Sequence, residues 1–156
     1  MPIGALLAAV IVAVAAAGCG SDETGTPEAC LVPASAYLHA LRAAPDSVTL
    51  AGDIPISGCL PSDQEAADLA QVGEAMVDSA TRLNAAARRD PGGDENVALG
   101  YLVAAVHSGA EQDGGIHADL VRRLDAAARF SPGSEPLPAR FERAYSKGFT
   151  AGQSSG

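Results

Sequence analysis

Tryptophan is absent from the sequence, and phenylalanine and tyrosine occur three times each in 156 residues. A chain with so few rings cannot fill an interior with aromatic bulk. Alanine, the strongest helix former, is abundant instead, which favours helices packed closely on small side chains. Positive charge is the second shortage. Ten Lys and Arg stand against nineteen Asp and Glu, a formal net charge of −9. That excludes nucleic acid as a partner, because such affinity comes from cations that neutralise phosphates, and it excludes a polybasic membrane contact. The shortage is local. Between residues 20 and 78 ten acids accompany one base, Arg42, whereas from residue 79 onward nine acids balance nine bases. The acidic half reads as a solvated face that keeps the domain soluble.

No apolar run is long enough to cross a bilayer. Residues 5–17, ALLAAVIVAVAAA, are thirteen apolar residues, a helix of roughly 20 Å against a hydrocarbon core of ~30 Å. Several catalytic signatures are also missing: G-x-S-x-G, H-E-x-x-H, a phosphate-cradling glycine loop and C-x-x-C. Repeats with a period of 20–50 residues are absent too.

What is present begins with that apolar run. Its length matches a secretory h-region, it carries no charged side chain, and it ends in Ala16-Ala17-Gly18-Cys19. This AAGC stretch resembles the lipobox of bacterial lipoprotein precursors, with Ala16 where leucine is commonest. The resemblance implies a signal peptide over residues 1–18, cleavage before Cys19, diacylglycerol on the Cys19 thiol, and residence as a lipid-anchored protein on the extracytoplasmic face of the cell membrane. It implies nothing about the activity of the following domain. Residues 19–29, small, polar and acidic, have the composition of a flexible tether.

With Cys19 lipidated, Cys30 and Cys59 remain, and outside the cytoplasm such a pair is expected to form a disulfide. The stretch they enclose is rich in proline and glycine and offers only short alternations, Val48/Leu50 and Ile54/Ile56.

The rest reads as helices, and the expected fold is an all-α bundle of about four main helices over residues 30–149, with the N-terminal short helix and the disulfide-closed loop packed over one end. A short helix starts at Pro33, with Tyr37, Leu38 and Leu41 on one face, and stops at Pro45. Ser62 to Glu65, SDQE, reads as a capping box opening a long helix of close to 40 Å. Its apolar stripe runs Ala66, Leu69, Ala70, Gly73, Met76, Val77, Ala80, Leu83, Ala87, with Arg88 and Arg89 in the last turn. Residues 97–106 are apolar all round, the mark of a central buried helix. A further helix turns Ile116, Leu120, Leu124 and Ala127 or Ala128 inward. The last runs from Leu137 to Phe149 with Leu137, Phe141, Ala144 or Tyr145, and Phe149 inward, and residues 150–156 are expected to be a disordered tail.

The polar residues offer two candidate sites. His107 and Glu111 share a helix face at i, i+4, with Asp113, His117 and Asp119 beyond a glycine turn. Histidines with carboxylates can hold Zn²⁺ or work as an acid–base pair, so a metal-dependent envelope enzyme on His107, Glu111 and His117 is the alternative function. The ordinary role of these residues is to complement helix dipoles at a solvated hairpin. Arg122, Arg123, Arg129, Arg140 and Arg143 are candidate anion receivers, against simple pairing with Asp119, Asp125 and Glu142. Without a catalytic constellation, the expected role is a non-enzymatic binding or assembly module that needs no cofactor. A protein partner in the envelope would require an exposed apolar patch of several hundred square ångströms, and a small ligand would require a pocket beside Tyr101 and Tyr145.

Overall fold

The computed structural model describes residues 25–111, 115–130 and 136–156; Cys19, the preceding apolar run, the first part of the tether and Asp113 lie outside them. A 3-10 turn at Glu28–Cys30 precedes α1 (Ala34–Ala40), which is extended by a 3-10 turn at Leu41–Ala43. Then come β1 (Thr49–Leu50), β2 (Ile54–Pro55) and a 3-10 turn at Ile56–Cys59. Four longer helices follow: α2 (Ala66–Ala87), α3 (Asp94–Ala110), α4 (Ala118–Ala128) and α5 (Ala139–Ser155). The class is helical, with one two-stranded antiparallel ribbon pairing Thr49 with Pro55 and Leu50 with Ile54. Among the described residues no helix is long and apolar enough to cross a membrane.

Helix α3 is the axis. Every residue from Asn96 to Val106 is buried, as its all-round apolar sequence requires. On one side α3 meets α2 through Met76, Ala80 and Leu83, and α4 closes the core with Leu120 and Leu124. On the other side it meets α5 through glycine. A Cβ on Gly100 would overlap the Tyr145 carbonyl oxygen, and a Cβ on Gly148 would overlap the Val97 carbonyl oxygen. At Gly152 a Cβ would lie 3.0 Å from the Cβ of Ala104. Glycine spaced by four on α5 therefore lets the two backbones touch, as small residues do wherever helices approach closely.

Cys30 and Cys59 form a disulfide, both fully buried, with Cα atoms 5.5 Å apart. The closed segment buries Val48, Leu50 and Ile56, the alternation visible in its sequence, and lies along α3 rather than over one end of the bundle. The Tyr101 hydroxyl fastens it there: it accepts from the Val48 N–H at 3.0 Å and donates to the Ser155 carbonyl at 2.9 Å. One phenol thus joins the disulfide segment, α3 and α5. Tyr101→Phe leaves a buried N–H without its acceptor and is expected to cost roughly 1–3 kcal/mol, read as a lower urea midpoint. Near the segment's start Tyr37 donates to the Cys30 carbonyl at 2.9 Å, and burial pushes the Tyr37 phenol well above its usual range.

Several expectations are corrected. The capping box does not form: α2 starts at Ala66, Glu65 occupies the N-cap position, and no side chain caps it. Ser62 and Asp63 form a turn instead, and Gln64 is buried because its amide donates to the Cys59 carbonyl and Thr26 Oγ1, both at 3.0 Å. The later start leaves α2 with 22 residues, about 33 Å; Arg88 is its C-cap, and Ala66 and Ala70 face solvent. At the start of α4 Ile116 is 44% exposed, and His117 takes the inward place. Leu137 lies before α5 and is 38% exposed. The expected disordered tail is helical to Ser155, because Gly152 and Gly156 continue the close contact with α3 and the Ser57 hydroxyl donates to the Gly156 carbonyl.

Candidate functional site

The candidate metal-binding residues are separated rather than gathered. His107, near the end of α3, sets Nε2 2.8 Å from Asp125 Oδ1 on α4, a half-exposed pair. His117 is fully buried and sets Nε2 2.7 Å from Gln64 Oε1. Glu111, the C-cap of α3, is exposed. Among the described residues no three His, Cys, Asp or Glu side chains could hold one metal ion. The two histidines instead join elements: His107 joins α3 to α4, and His117 joins the start of α4 to the turn before α2.

The arginines are dispersed as well. Arg122 pairs with Asp119 at 2.7 Å on the exposed face of α4, a contact of little energetic weight. The Arg129 carbonyl accepts from Asn84 Nδ2 at 3.0 Å and from Arg88 at 3.2 Å, so its backbone end is tied to α2. Arg123, Arg140 and Arg143 are exposed. An anion cradle does not emerge from them.

Open space lies instead between the C-terminal end of α4 and the first half of α5, a groove of about 630 Å³. Among the described residues its lining includes Phe130, Leu137, Phe141 and Tyr145, together with Asp125, Glu142 and Arg129. The rings form a ladder. Phe130 and Phe141 have centroids 4.5 Å apart, Phe141 and Tyr145 stack at 6.1 Å, and Phe149 continues the series at 6.0 Å. Spacing by four along α5 places Phe141, Tyr145 and Phe149 on one face. Above the ladder the Arg88 guanidinium lies 5.6 Å from the Phe130 centroid, a cation–π contact. Burial, and secondly the Asp125 carboxylate, push the Tyr145 phenol up to about 12.

The expected pocket beside Tyr101 and Tyr145 is therefore half met. Tyr145 borders the groove, while Tyr101 is fully buried and its hydroxyl is engaged. Sequence reasoning treated Asp125 and Glu142 only as pairing partners for arginine. The aromatic period on α5 was the signal that could have marked this face. Among the described residues the large hydrophobic side chains left exposed are Ile116, just before α4, and Leu137, just before α5. Three comparisons complete the picture: no protein-family model, no curated protein and no solved structure matches this chain.

Proposed function

We propose that this chain is a lipid-anchored binding module of the cell envelope, non-enzymatic, held through Cys19 to the extracytoplasmic face of a membrane and presenting its helical domain on a short tether. The buried Cys30–Cys59 disulfide carries the reading, because disulfides persist in oxidising compartments and are rare in the cytosol. The thirteen-residue apolar run ending in AAGC gives the same address from an independent part of the chain. A groove of about 630 Å³ whose lining includes Phe130, Phe141 and Tyr145 supports binding of a ligand. The metal-dependent alternative on His107, Glu111 and His117 is favoured by no observation, since the two histidines engage Asp125 and Gln64.

Cys19→Ser tests the anchor. The native protein is expected in the membrane fraction, extracted by detergent and not by salt. The variant is expected to carry no lipid and to keep its N-terminal segment uncleaved. A variant still cleaved before residue 19 and still carrying lipid contradicts the reading.

A further inference from the structure

We propose that a second groove, between α1, α2 and the start of α3, binds a zwitterion with an apolar side chain, the class of the apolar α-amino acids. The proposal goes beyond the binding-module reading and needs neither the lipid anchor nor the groove between α4 and α5. This groove measures about 510 Å³, within the range of small-molecule sites, roughly 300 to 1,000 Å³. Its apolar lining is aliphatic. Leu38 and Leu41 come from α1 and its 3-10 extension, and Leu83 comes from α2. Leu41 and Leu83 are buried and Leu38 is half-buried, so a side chain set against them leaves water.

Charges of both signs line the same groove without meeting each other. Arg42, the one base between residues 20 and 78, is among them. Asp94 and Glu95, in the first turn of α3, are the acids. All three are exposed, and among the described residues no hydrogen bond or ion pair engages their side chains. Arg82, the other charged side chain of the lining, differs: Asp78 accepts from its Nε at 3.0 Å and its Nη2 at 2.8 Å. The free charges are therefore one guanidinium and two carboxylates beside an aliphatic lining. A plain ammonium would find the carboxylates but also meet Arg42. A plain carboxylate would pair with Arg42 against two like charges, and a neutral ligand would gain only from apolar burial. A molecule with both charges next to an apolar group satisfies every part of the lining, through charge-assisted hydrogen bonds and burial together. An α-amino acid carries that combination on a single carbon.

The experiment is a titration of the full-length protein followed by NMR on the leucine methyl groups. The probes are L-leucine and L-phenylalanine, with isopentylamine (leucine without its carboxylate), isocaproate (leucine without its ammonium) and glycine (no apolar side chain). At least one of the two apolar amino acids is expected to shift the Leu38, Leu41 and Leu83 methyl signals saturably. Isopentylamine, isocaproate and glycine are each expected to bind about tenfold more weakly than leucine, or not at all. Arg42→Gln is expected to weaken the amino acid by about three- to tenfold and to leave isopentylamine no weaker. Asp94→Asn combined with Glu95→Gln is expected to weaken the amino acid similarly and to leave isocaproate no weaker. Equal or tighter binding of isopentylamine or isocaproate overturns the zwitterion class, and equal binding of glycine overturns the apolar contact. Saturable binding that ignores both variants overturns the site. No saturable shift with either apolar amino acid overturns this groove as their site, while leaving the lipid-anchored module to its own test at Cys19.

Discussion

Gly148→Ala is expected to pry α5 from α3 and to cost about 3 kcal/mol or more, the upper range for overpacking a closed interface. The added methyl would occupy the position of the Val97 carbonyl oxygen and come within 3.0 Å of the Tyr101 nitrogen. Backbone is what it meets, so no rotamer change can relieve it; either α5 shifts along its length or its first contacts with α3 are lost. Because Tyr101 bonds to Ser155 on α5 and to Val48 in the disulfide segment, movement of α5 is expected to weaken both. The urea midpoint should fall sharply, and amide exchange should accelerate along α5. Gly73→Ala on α2 is the control. Its Cβ would meet only Leu120 Cδ1, at 3.4 Å, a side-chain end that can move, and alanine in a helix interior gains roughly 0.5–1 kcal/mol over glycine. Gly73→Ala should leave stability unchanged or slightly higher. Equal effects from the two substitutions would contradict a backbone contact at Gly148.

Removing the disulfide by the pair Cys30→Ala and Cys59→Ala is expected to cost about 3–4 kcal/mol, from the entropy of leaving open a loop of this span. The two cysteines are 29 residues apart. The segment between them has two strands of two residues and four short helical or 3-10 pieces counting α1, so little regular hydrogen bonding holds it otherwise. That loss is a large fraction of a typical domain stability of about 5–15 kcal/mol, and a melting temperature lower by roughly 10–15 °C is expected. Reductant should have the same effect on the native protein and none on the double variant. The changes should concentrate between residues 28 and 60 and leave α2 to α4 folded. A melting temperature insensitive to both reduction and substitution would show that packing of Val48, Leu50 and Ile56 alone holds the segment.

The long helices were legible because their signals are local and repeated. The stripe Gly73, Met76, Ala80, Leu83, Ala87 on α2 and the all-round apolar stretch of α3 each state their burial within a few turns. The misreadings arose where a contact distant in sequence outweighed a local preference. Gln64 gives up its place in a capping box because Thr26, Cys59 and His117 bind its side chain. His117 turns inward, and Ile116 outward, because the partner of the histidine lies 53 residues earlier. The end of α5 looked frayed because glycine is a poor helix former; its spacing by four at Gly148, Gly152 and Gly156 has meaning only against the facing backbone of α3. For the groove, the ring spacing on α5 was readable, whereas its closing wall at Asp125 and Phe130 depends on how α4 docks.

An intact mass of the protein recovered from native membranes, measured with and without reduction, tests the central claim most directly. The account predicts a chain starting at Cys19, heavier by a lipid, and two protons lighter before reduction than after. A full-length chain without lipid and with its three cysteines as free thiols would contradict both the anchor and the oxidising compartment.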